Sequence, residues 1–281
     1  MTVLLQISDT HFGTERPQVV AALLRFVDAH PPDLIVLSGD ITQRARKRQF
    51  AAARAFVDAL GARPTLVVPG NHDIPLFDPL ARVFYPYANH QRTFGEDLEP
   101  SFESPELLVL GVNTTRPYRH TDGEVSMRQI KRVAARLEAA SVAQLRVVVT
   151  HQPVAVTRAQ DEKNLLRGRE RAVLRWARAG ADLILGGHIH LPYVLPLHDI
   201  FAGLPRRMWA VQAGTALSWR TRGSIDNSVN VIHHEAAGNG ARCMTVERWD
   251  YAETSDSFEL VARHELALDG ATPAVAVTVP E

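Results

Sequence analysis

The sequence predicts an α/β fold of the α+β kind, in which two β-sheets pack together within one domain. Three observations support this prediction. Apolar runs alternate with amphipathic segments over the first two thirds of the chain, and apolar runs separated by turns follow from Tyr193 onward. Hydrophobic residues make up 46% of the 281 residues, which is enough for a substantial core. We expect the domain to span residues 1–270 and residues 271–281 to form a loosely ordered tail.

The beginning of the chain has the rhythm of a βαβαβ unit. Short apolar runs predict buried strands at residues 3–7, 34–37 and 65–68. Between them, residues 17–30 and 46–60 show helical spacing of apolar residues, with Pro17 suited to a first turn and Gly61 to a C-terminal stop. This rhythm favours parallel strands that are covered on both faces.

The later segments first continue the alternation of strands and helices and then consist of strands alone. They predict strands at residues 107–112, 145–150 and 183–185 and helices at residues 126–140 and 170–179. Beyond Tyr193 the pattern predicts antiparallel strands at residues 194–197, 207–211, 229–233, 242–249 and 258–264. A turn at residues 236–241 separates two of these strands.

Charge and composition exclude several classes of protein. The 31 basic residues balance the 31 acidic ones, which counts against binding a nucleic-acid polymer, because such proteins normally carry a basic excess. No apolar run approaches the roughly 20 residues that a membrane-spanning helix needs, so no membrane partner is expected. The single cysteine, Cys243, allows no internal disulfide and is expected to be a buried thiol. With no signal sequence at the N-terminus, these features predict a cytoplasmic protein.

Potential metal ligands follow the predicted strands in five places. These segments are Asp9-Thr10-His11, Gly39-Asp40, Gly70-Asn71-His72-Asp73, Thr150-His151 and Gly187-His188-Ile189-His190. Open α/β sheets place ligands at the carboxyl ends of their strands, so these side chains should converge. In Asp9/His11 and His188/His190, residues two apart would point the same way if the backbone is extended.

The chemistry of these side chains suits a particular group of metals. Imidazole and carboxylate together favour divalent Mn, Fe, Zn or Co over Ca or Mg. Seven ligand residues are too many for one ion with open positions, but they suffice for two ions if one carboxylate bridges them. No thiolate is available for a structural zinc site of the finger type.

The five ordered segments resemble the calcineurin-like metallophosphoesterase family, whose pattern is D-x-H, G-D, G-N-H-D/E, H and G-H-x-H. Every element is present between Asp9 and His190, roughly two thirds of the chain. The resemblance implies a four-layer α/β/β/α sandwich, with two mixed β-sheets flanked by helices and a dinuclear metal site at the carboxyl ends of the strands. It implies a first metal bound by Asp9, His11, Asp40 and His190. It implies a second metal bound by Asp40, Asn71, His151 and His188, with Asp40 as the bridge.

The resemblance also implies a mechanism. A metal-bridging hydroxide would attack phosphorus directly, while the ions clamp the phosphoryl oxygens. His72 would be a catalytic residue that is not a ligand. It would contact the substrate phosphate or protonate the leaving oxygen, and Asp73 would orient its ring. Arg44, Arg116 and the stretch Arg158–Arg169 are candidates for the rim of the substrate pocket.

Several functions stay open at this point. The motifs look most like those of bacterial class III cyclic nucleotide phosphodiesterases and of glycerophosphodiesterases. A phosphodiesterase acting on small diesters, with 3',5'-cAMP favoured, is therefore the first hypothesis. The alternatives are a glycerophosphodiesterase, a promiscuous phosphomonoesterase or pyrophosphatase, and a metal-free interaction scaffold. Small diesterases of this kind often pair, so a homodimer is also kept open.

Overall fold

The computed structural model describes residues 1–236 and 242–269. Two six-stranded β-sheets stack face to face, and helices cover the outer face of each. Both sheets mix parallel and antiparallel pairs. The predicted α/β fold with two mixed sheets flanked by helices is confirmed.

The first sheet combines the start of the chain with its end. Its strands are β1 (Thr2–Ile7), β2 (Leu34–Leu37), β3 (Thr65–Val67), β10 (Ser228–Ala236), β11 (Arg242–Ala252) and β12 (Ser257–Ala267). They lie in the order β12-β11-β10-β1-β2-β3. The pairs β1–β2 and β2–β3 are parallel, as the βαβαβ rhythm predicts, and the remaining pairs are antiparallel.

The second sheet is built from the middle of the chain. Its strands are β4 (Ser101–Glu103), β5 (Leu107–Gly111), β6 (Leu145–Val149), β7 (Leu183–Gly186), β8 (Tyr193–Pro196) and β9 (Trp209–Gln212). They lie in the order β4-β5-β6-β7-β9-β8, with β5, β6, β7 and β9 parallel to one another.

The helices of the described residues are mostly those that the periodicity predicts. They are α1 (Pro17–Ala29), α2 (Lys47–Ala59), α3 (Pro79–Phe84), α4 (Ala88–Phe94), α5 (Met127–Glu138), α6 (Arg169–Ala179) and α7 (Leu197–Ile200). Short 3-10 turns cover Asn71–Asp73 and Ala159–Asn164. Within the ranges that the structure describes, no helix is both long and apolar enough to cross a bilayer.

The strands place alternate side chains in different cores. Leu5 faces the helices α1 and α2, whereas its neighbour Leu4 faces the space between the two sheets. Leu108 and Leu107 divide in the same way on the second sheet. Because successive strand residues point to opposite faces, each sheet supplies one core layer under its helices, and the two sheets share a third layer between them. This is why they appear in the sequence as unbroken apolar runs.

Some predictions need correction. The strand predicted at 207–211 pairs antiparallel with β8, as expected. On its other side, however, β9 runs parallel to β7, because β8 occupies the edge of the sheet and leaves the place beside β7 to β9. Cys243 is exposed and not buried, since it lies on β11 between residues that face the core. The predicted turn at 236–241, except Ala236 at the end of β10, and the predicted tail at 271–281 lie outside the described residues.

Candidate metal centre

The five motif segments all lie directly after parallel strands. β1, β2 and β3 of the first sheet are followed by the segments that carry Asp9, Asp40 and Asn71. In the second sheet, β6 is followed by His151, and β7 by His188 and His190. The two sheets therefore contribute to one site, where side chains up to 181 positions apart in sequence meet (residues 9 and 190). The predicted convergence is observed.

One group of donors consists of Asp9, His11 and His190. Their ligand atoms all lie within 4.8 Å of one another. Asp9 Oδ1 lies 3.2 Å from His190 Nε2 and 3.7 Å from His11 Nε2. The two imidazole nitrogens are 3.0 Å apart. Two imidazole rings and one carboxylate that aim at a common point form a site suited to a divalent cation.

A second group consists of Asp40, His151 and His188, again with ligand atoms within 4.8 Å of one another. Asn71 Oδ1, His151 Nε2 and His188 Nδ1 are buried and have no hydrogen-bond partner among the residues that the structure describes. Buried polar atoms without a partner are costly, so three of them at one place call for a ligand. They are the amide and imidazole atoms expected of a second metal site. The residues present therefore fit a second divalent ion.

Asp40 lies between the two groups. Its Oδ2 is 3.7 Å from His11 Nε2, and its Oδ1 is 3.3 Å from His151 Nε2. Oδ1 also accepts a hydrogen bond from the backbone N–H of His72 at 2.8 Å. A side-chain Cβ at Gly70 would lie 2.0 Å from the backbone nitrogen of Asp40, so only glycine lets the two loops approach this closely.

The backbone of the ligand segments differs from the expected one. Asp9, His11, Asp40, His188 and His190 all have positive φ, between 45° and 74°. The expectation of extended D-x-H and H-x-H segments is therefore wrong at these residues, although their side chains do converge. Non-glycine residues in the left-handed region cost about 1 kcal/mol or more each, and they concentrate at functional sites. The fold thus holds five ligand residues in strained conformations.

Hydrogen bonds on the far side of the imidazole rings fix their orientation. His151 Nδ1 donates to the carbonyl of Ser38 at 2.9 Å, and His190 Nδ1 donates to the carbonyl of Arg220 at 2.6 Å. Each bond places one ring proton on Nδ1 and directs Nε2 into the site. Such partners fix the tautomer of metal-binding histidines.

The buried charges shift one another's pKa values. Burial raises the pKa of Asp9, but the neighbouring His190 outweighs this effect and lowers it to about 2. Burial lowers the pKa of His151, but the negative charge of Asp40, 3.3 Å away, outweighs it and raises it to about 9. In the metal-free site, these carboxylates are ionised at neutral pH and His151 holds a proton.

This protonation makes metal binding depend on pH. An imidazole must be neutral to bind a metal, so an ion that binds to His151 below pH 9 has to displace its proton. We expect the affinity for Mn²⁺ to rise with pH up to about 9, by about tenfold per pH unit for each proton released. Calorimetric titrations at pH 7 in buffers of different ionisation enthalpy measure the released protons. Binding without proton release would contradict the assignment of His151.

His72 lies at the edge of the site, and Asp73 does not orient its ring. The Nδ1 of His72 donates to the carbonyl of Gln43 at 2.9 Å, and the Nε2 of His72 accepts from Arg220 Nη1 at 3.2 Å. Asp73 instead accepts four hydrogen bonds from the loops, through Ile41 N–H, Gly70 N–H and the N–H and hydroxyl of Thr42. The expectation for Asp73 is wrong, because its carboxylate ties two loops together.

The protonation of these two side chains bears on their roles. Burial, together with the charge of Asp40, raises the pKa of Asp73 to about 7, although its four donors favour the ionised carboxylate. His72 Nε2 faces a guanidinium that can only donate, so this nitrogen acts as an acceptor in this arrangement. His11, Asp40 and His72 form a third group with ligand atoms within 4.8 Å, so geometry alone also allows His72 to be a ligand.

An open cleft of about 530 Å³ lies over the ligands. Besides ligand residues, it is lined by Thr121, Asp161, Lys163, Asn164, Ile189, Arg220, Thr221 and Arg222. The predicted rim stretch 158–169 thus reaches the cleft through three of its members. Arg116 does not, since its guanidinium donates to Asn113 and Gln129. Arg44 lines a smaller cavity beside His72.

Three residues at the site, Gln43, Arg220 and Arg222, are not predicted from the sequence. Arg220 and Arg222 belong to the loop after β9, which ends at the same edge as the other parallel strands. Ligands bind at the carboxyl ends of parallel strands, so this loop becomes a candidate once β9 is recognised as parallel. The two arginines in "SWRTRGS" are then the sequence signal for a cleft that binds an anion. Gln43 follows the Asp40 segment and carried no signal of its own.

Comparisons with known proteins agree with this geometry. The family model described as calcineurin-like phosphoesterase matches residues 2–192. The glycerophosphodiester phosphodiesterase GpdQ of Enterobacter lignolyticus is 34% identical over 86 residues, 25% of this chain and 29% of that protein. A probable cyclic nucleotide phosphodiesterase of a Synechococcus species is 25% identical over 202 residues, 68% of this chain and 74% of that protein. The purple acid phosphatase PPD1 of yellow lupin shares the fold, with a TM-score of 0.71 and 13% identity over 95% of this chain and 53% of its own.

Proposed function

The chain belongs to the calcineurin-like phosphoesterase family, and on this premise we propose that it is a phosphodiesterase that hydrolyses small phosphodiesters with two divalent ions. The family and its relatives support a metal-dependent phosphoric ester hydrolase. The choice of a diester substrate is supported by the names of the relatives, which include a glycerophosphodiesterase and a probable cyclic nucleotide phosphodiesterase.

The observation that carries the proposal is a set of buried oxygen and nitrogen atoms that have no hydrogen-bond partner among the described residues. Asn71 Oδ1, His151 Nε2 and His188 Nδ1 lie next to Asp40, and the Asp9 group lies on its other side. We assign the first ion to Asp9, His11, Asp40 and His190. We assign the second ion to Asp40, Asn71, His151 and His188. A scaffold without metal would not explain why the fold maintains three unpaired polar atoms and five strained residues.

The protein side chains and the ions divide the chemistry between them. When bound, the two ions supply Lewis-acid polarisation of the phosphoryl oxygens and activation of the attacking water. Asp40 connects the two halves of the site, because its Oδ2 approaches His11 and its Oδ1 approaches His151. Ser38 and Arg220 orient the ligand rings through their carbonyl groups. His72 lines the cleft beside the ligand residues, where its ring would act on the leaving oxygen once Nε2 is free.

Two substrate classes are proposed in order. Cyclic nucleotides such as 3',5'-cAMP come first, in line with the relative that this chain matches over the larger share of both proteins. Glycerophosphodiesters come second, and one observation favours them. The residues described around the cleft include Asp161, Lys163 and Asn164 but no phenylalanine, tyrosine or tryptophan on which a base would stack.

A substrate panel tests the preference for diesters. We expect the Mn²⁺-reconstituted protein to hydrolyse bis(p-nitrophenyl) phosphate with a higher kcat/KM than p-nitrophenyl phosphate. The same preparation should then be compared on 3',5'-cAMP and on glycerophosphodiesters. A preference for the monoester would contradict the proposal and support the phosphomonoesterase alternative. Protein that binds no metal after reconstitution would support the scaffold alternative.

Other parts of the proposal concern the whole protein. The metals are proposed to be Mn, Fe, Zn or Co, as expected for mixed imidazole and carboxylate ligands. We further propose one domain over residues 1–270 and a cytoplasmic location. A homodimer stays a prediction for measurement in solution.

A further inference from the structure

Arg220 occupies an unusual position in the cleft. Its Nη1 lies 3.2 Å from His72 Nε2, 3.4 Å from His11 Nδ1 and 3.1 Å from Gln43 Oε1. None of these three neighbouring groups carries a negative charge. No protein acceptor of its Nη2 or Nε atoms is found among the residues that the structure describes. A guanidinium that lines an open cleft therefore keeps most of its donors for another group.

Its neighbour Arg222 provides a direct contrast. Arg222 lines the same cleft, but its Nη2 lies 2.8 Å from Asp161 Oδ1 and its Nη1 donates to the carbonyl of Ile189. Its charge is thus neutralised within the protein. For Arg220, no carboxylate oxygen of the described residues lies within the 4.0 Å that defines an ion pair. The loop after β9 therefore carries one compensated arginine and one uncompensated arginine into the cleft.

We propose that Arg220 binds a phosphoryl oxygen of the substrate and that its guanidinium leaves His72 Nε2 when it does so. The proposal rests on the phosphodiesterase function proposed above. A phosphate oxygen carries negative charge and is a stronger acceptor than a neutral imidazole nitrogen or an amide oxygen. The planar guanidinium can also donate two parallel hydrogen bonds to two oxygens of one phosphate group. Gln43 and His72 each present only a single acceptor atom to it.

The same movement gives His72 its access to the substrate. As long as Arg220 Nη1 donates to Nε2, that nitrogen is occupied and cannot face a leaving oxygen. When the phosphoryl group draws the guanidinium away, Nε2 is free to take a proton from solvent water, which it can then pass to the leaving oxygen. The hydrogen bond of Nδ1 to Gln43 keeps the ring in place meanwhile. Arg220 thereby couples the arrival of substrate to the availability of His72.

The backbone of Arg220 orients a metal ligand, whereas its side chain faces the cleft. A side-chain substitution therefore tests the second role without removing the first. The carbonyl of Arg220 accepts from His190 Nδ1 at 2.6 Å, and the change Arg220→Ala leaves this carbonyl in place. Metal content and thermal stability should therefore match those of the wild type. Arg178→Ala, on the exposed face of α6, removes the same charge away from the cleft and serves as the control.

The test uses the Mn²⁺-loaded protein and two readouts. Steady-state hydrolysis of bis(p-nitrophenyl) phosphate should show KM raised roughly ten- to a hundred-fold in Arg220→Ala, as expected for loss of charge-assisted hydrogen bonds. Arg220→Lys should be intermediate, because it keeps the charge but not the fork. Added guanidinium ions should lower the raised KM of Arg220→Ala, which a purely structural role would not allow. An unchanged KM in Arg220→Ala would overturn the proposal.

The second readout needs no turnover. Calorimetric titration with inorganic phosphate should give a weaker dissociation constant for Arg220→Ala than for the wild type and the Arg178→Ala control. If the wild type hydrolyses no ester yet binds phosphate through Arg220, the proposed function fails and this inference stands. If all three proteins bind phosphate equally, or the wild type binds none, the inference fails whatever the activity.

Discussion

Replacing Asp40 with alanine should remove bound metal and phosphodiesterase activity together. In the described part of the chain, Asp40 is the only carboxylate that shares one ligand group with His11 and another with His151. Its loss leaves each ion one ligand short and removes the charge that lies between them. We expect kcat/KM to fall by roughly a thousand-fold or more, because the metals supply several kcal/mol of transition-state stabilisation. Elemental analysis and hydrolysis of bis(p-nitrophenyl) phosphate measure the two effects.

A second variant separates the charge of Asp40 from its support of the His72 loop. Asp40→Asn keeps an oxygen that can accept from the His72 N–H, a bond that measures 2.8 Å in the wild type, but removes the negative charge. It should also lose metal if the charge matters. Asp199→Ala changes an aspartate whose side chain is 72% exposed and is the matched control. Full activity in Asp40→Ala would rule out the bridging assignment.

Replacing His72 with alanine should give the opposite combination, with metal retained and turnover slowed. If His72 protonates the leaving oxygen, its removal should lower kcat by roughly 10²–10⁴-fold, the usual contribution of a general acid. The effect should be smaller for bis(p-nitrophenyl) phosphate than for an alkyl diester, because p-nitrophenolate needs little protonation to leave.

The metal content of this variant decides between two roles of His72. The ring belongs to a third potential ligand group with His11 and Asp40, so the geometry allows it to bind an ion. Two ions per chain in His72→Ala would support the catalytic role, and loss of one would show that His72 is a ligand. His120→Ala is a suitable control, because His120 lines the small cavity beside His72 and belongs to none of the three ligand groups.

The sequence predicted the parts of the fold that depend on periodicity and strand ends. β2 was predicted at its observed bounds of Leu34–Leu37, since a buried strand is apolar at every position. The ligands converge because parallel strands of both sheets end at one edge. The short helices α3 and α4 were missed, because six or seven residues are too few to show a helical period.

The detailed geometry of the site depends on tertiary contacts that no local pattern encodes. The left-handed backbone of Asp9 and His11 arises where two strand-end loops hydrogen-bond to each other, with His11 N–H donating to the carbonyl of Asp40. Asp73 follows His72 in the sequence, yet its carboxylate turns to Thr42 in a different loop. Arg220 was missed because the direction of β9 depends on where β8 lies in the sheet.

The most direct test of the dinuclear site is a crystal of the Mn²⁺-soaked protein with anomalous diffraction measured at the manganese edge. We predict two anomalous peaks, about 3.5–4 Å apart, with Asp40 in contact with both. One ion should lie against His11 and His190, and the other against His151 and His188. A map with no peak at these residues, or with a single peak that Asp40 does not touch, would contradict the account.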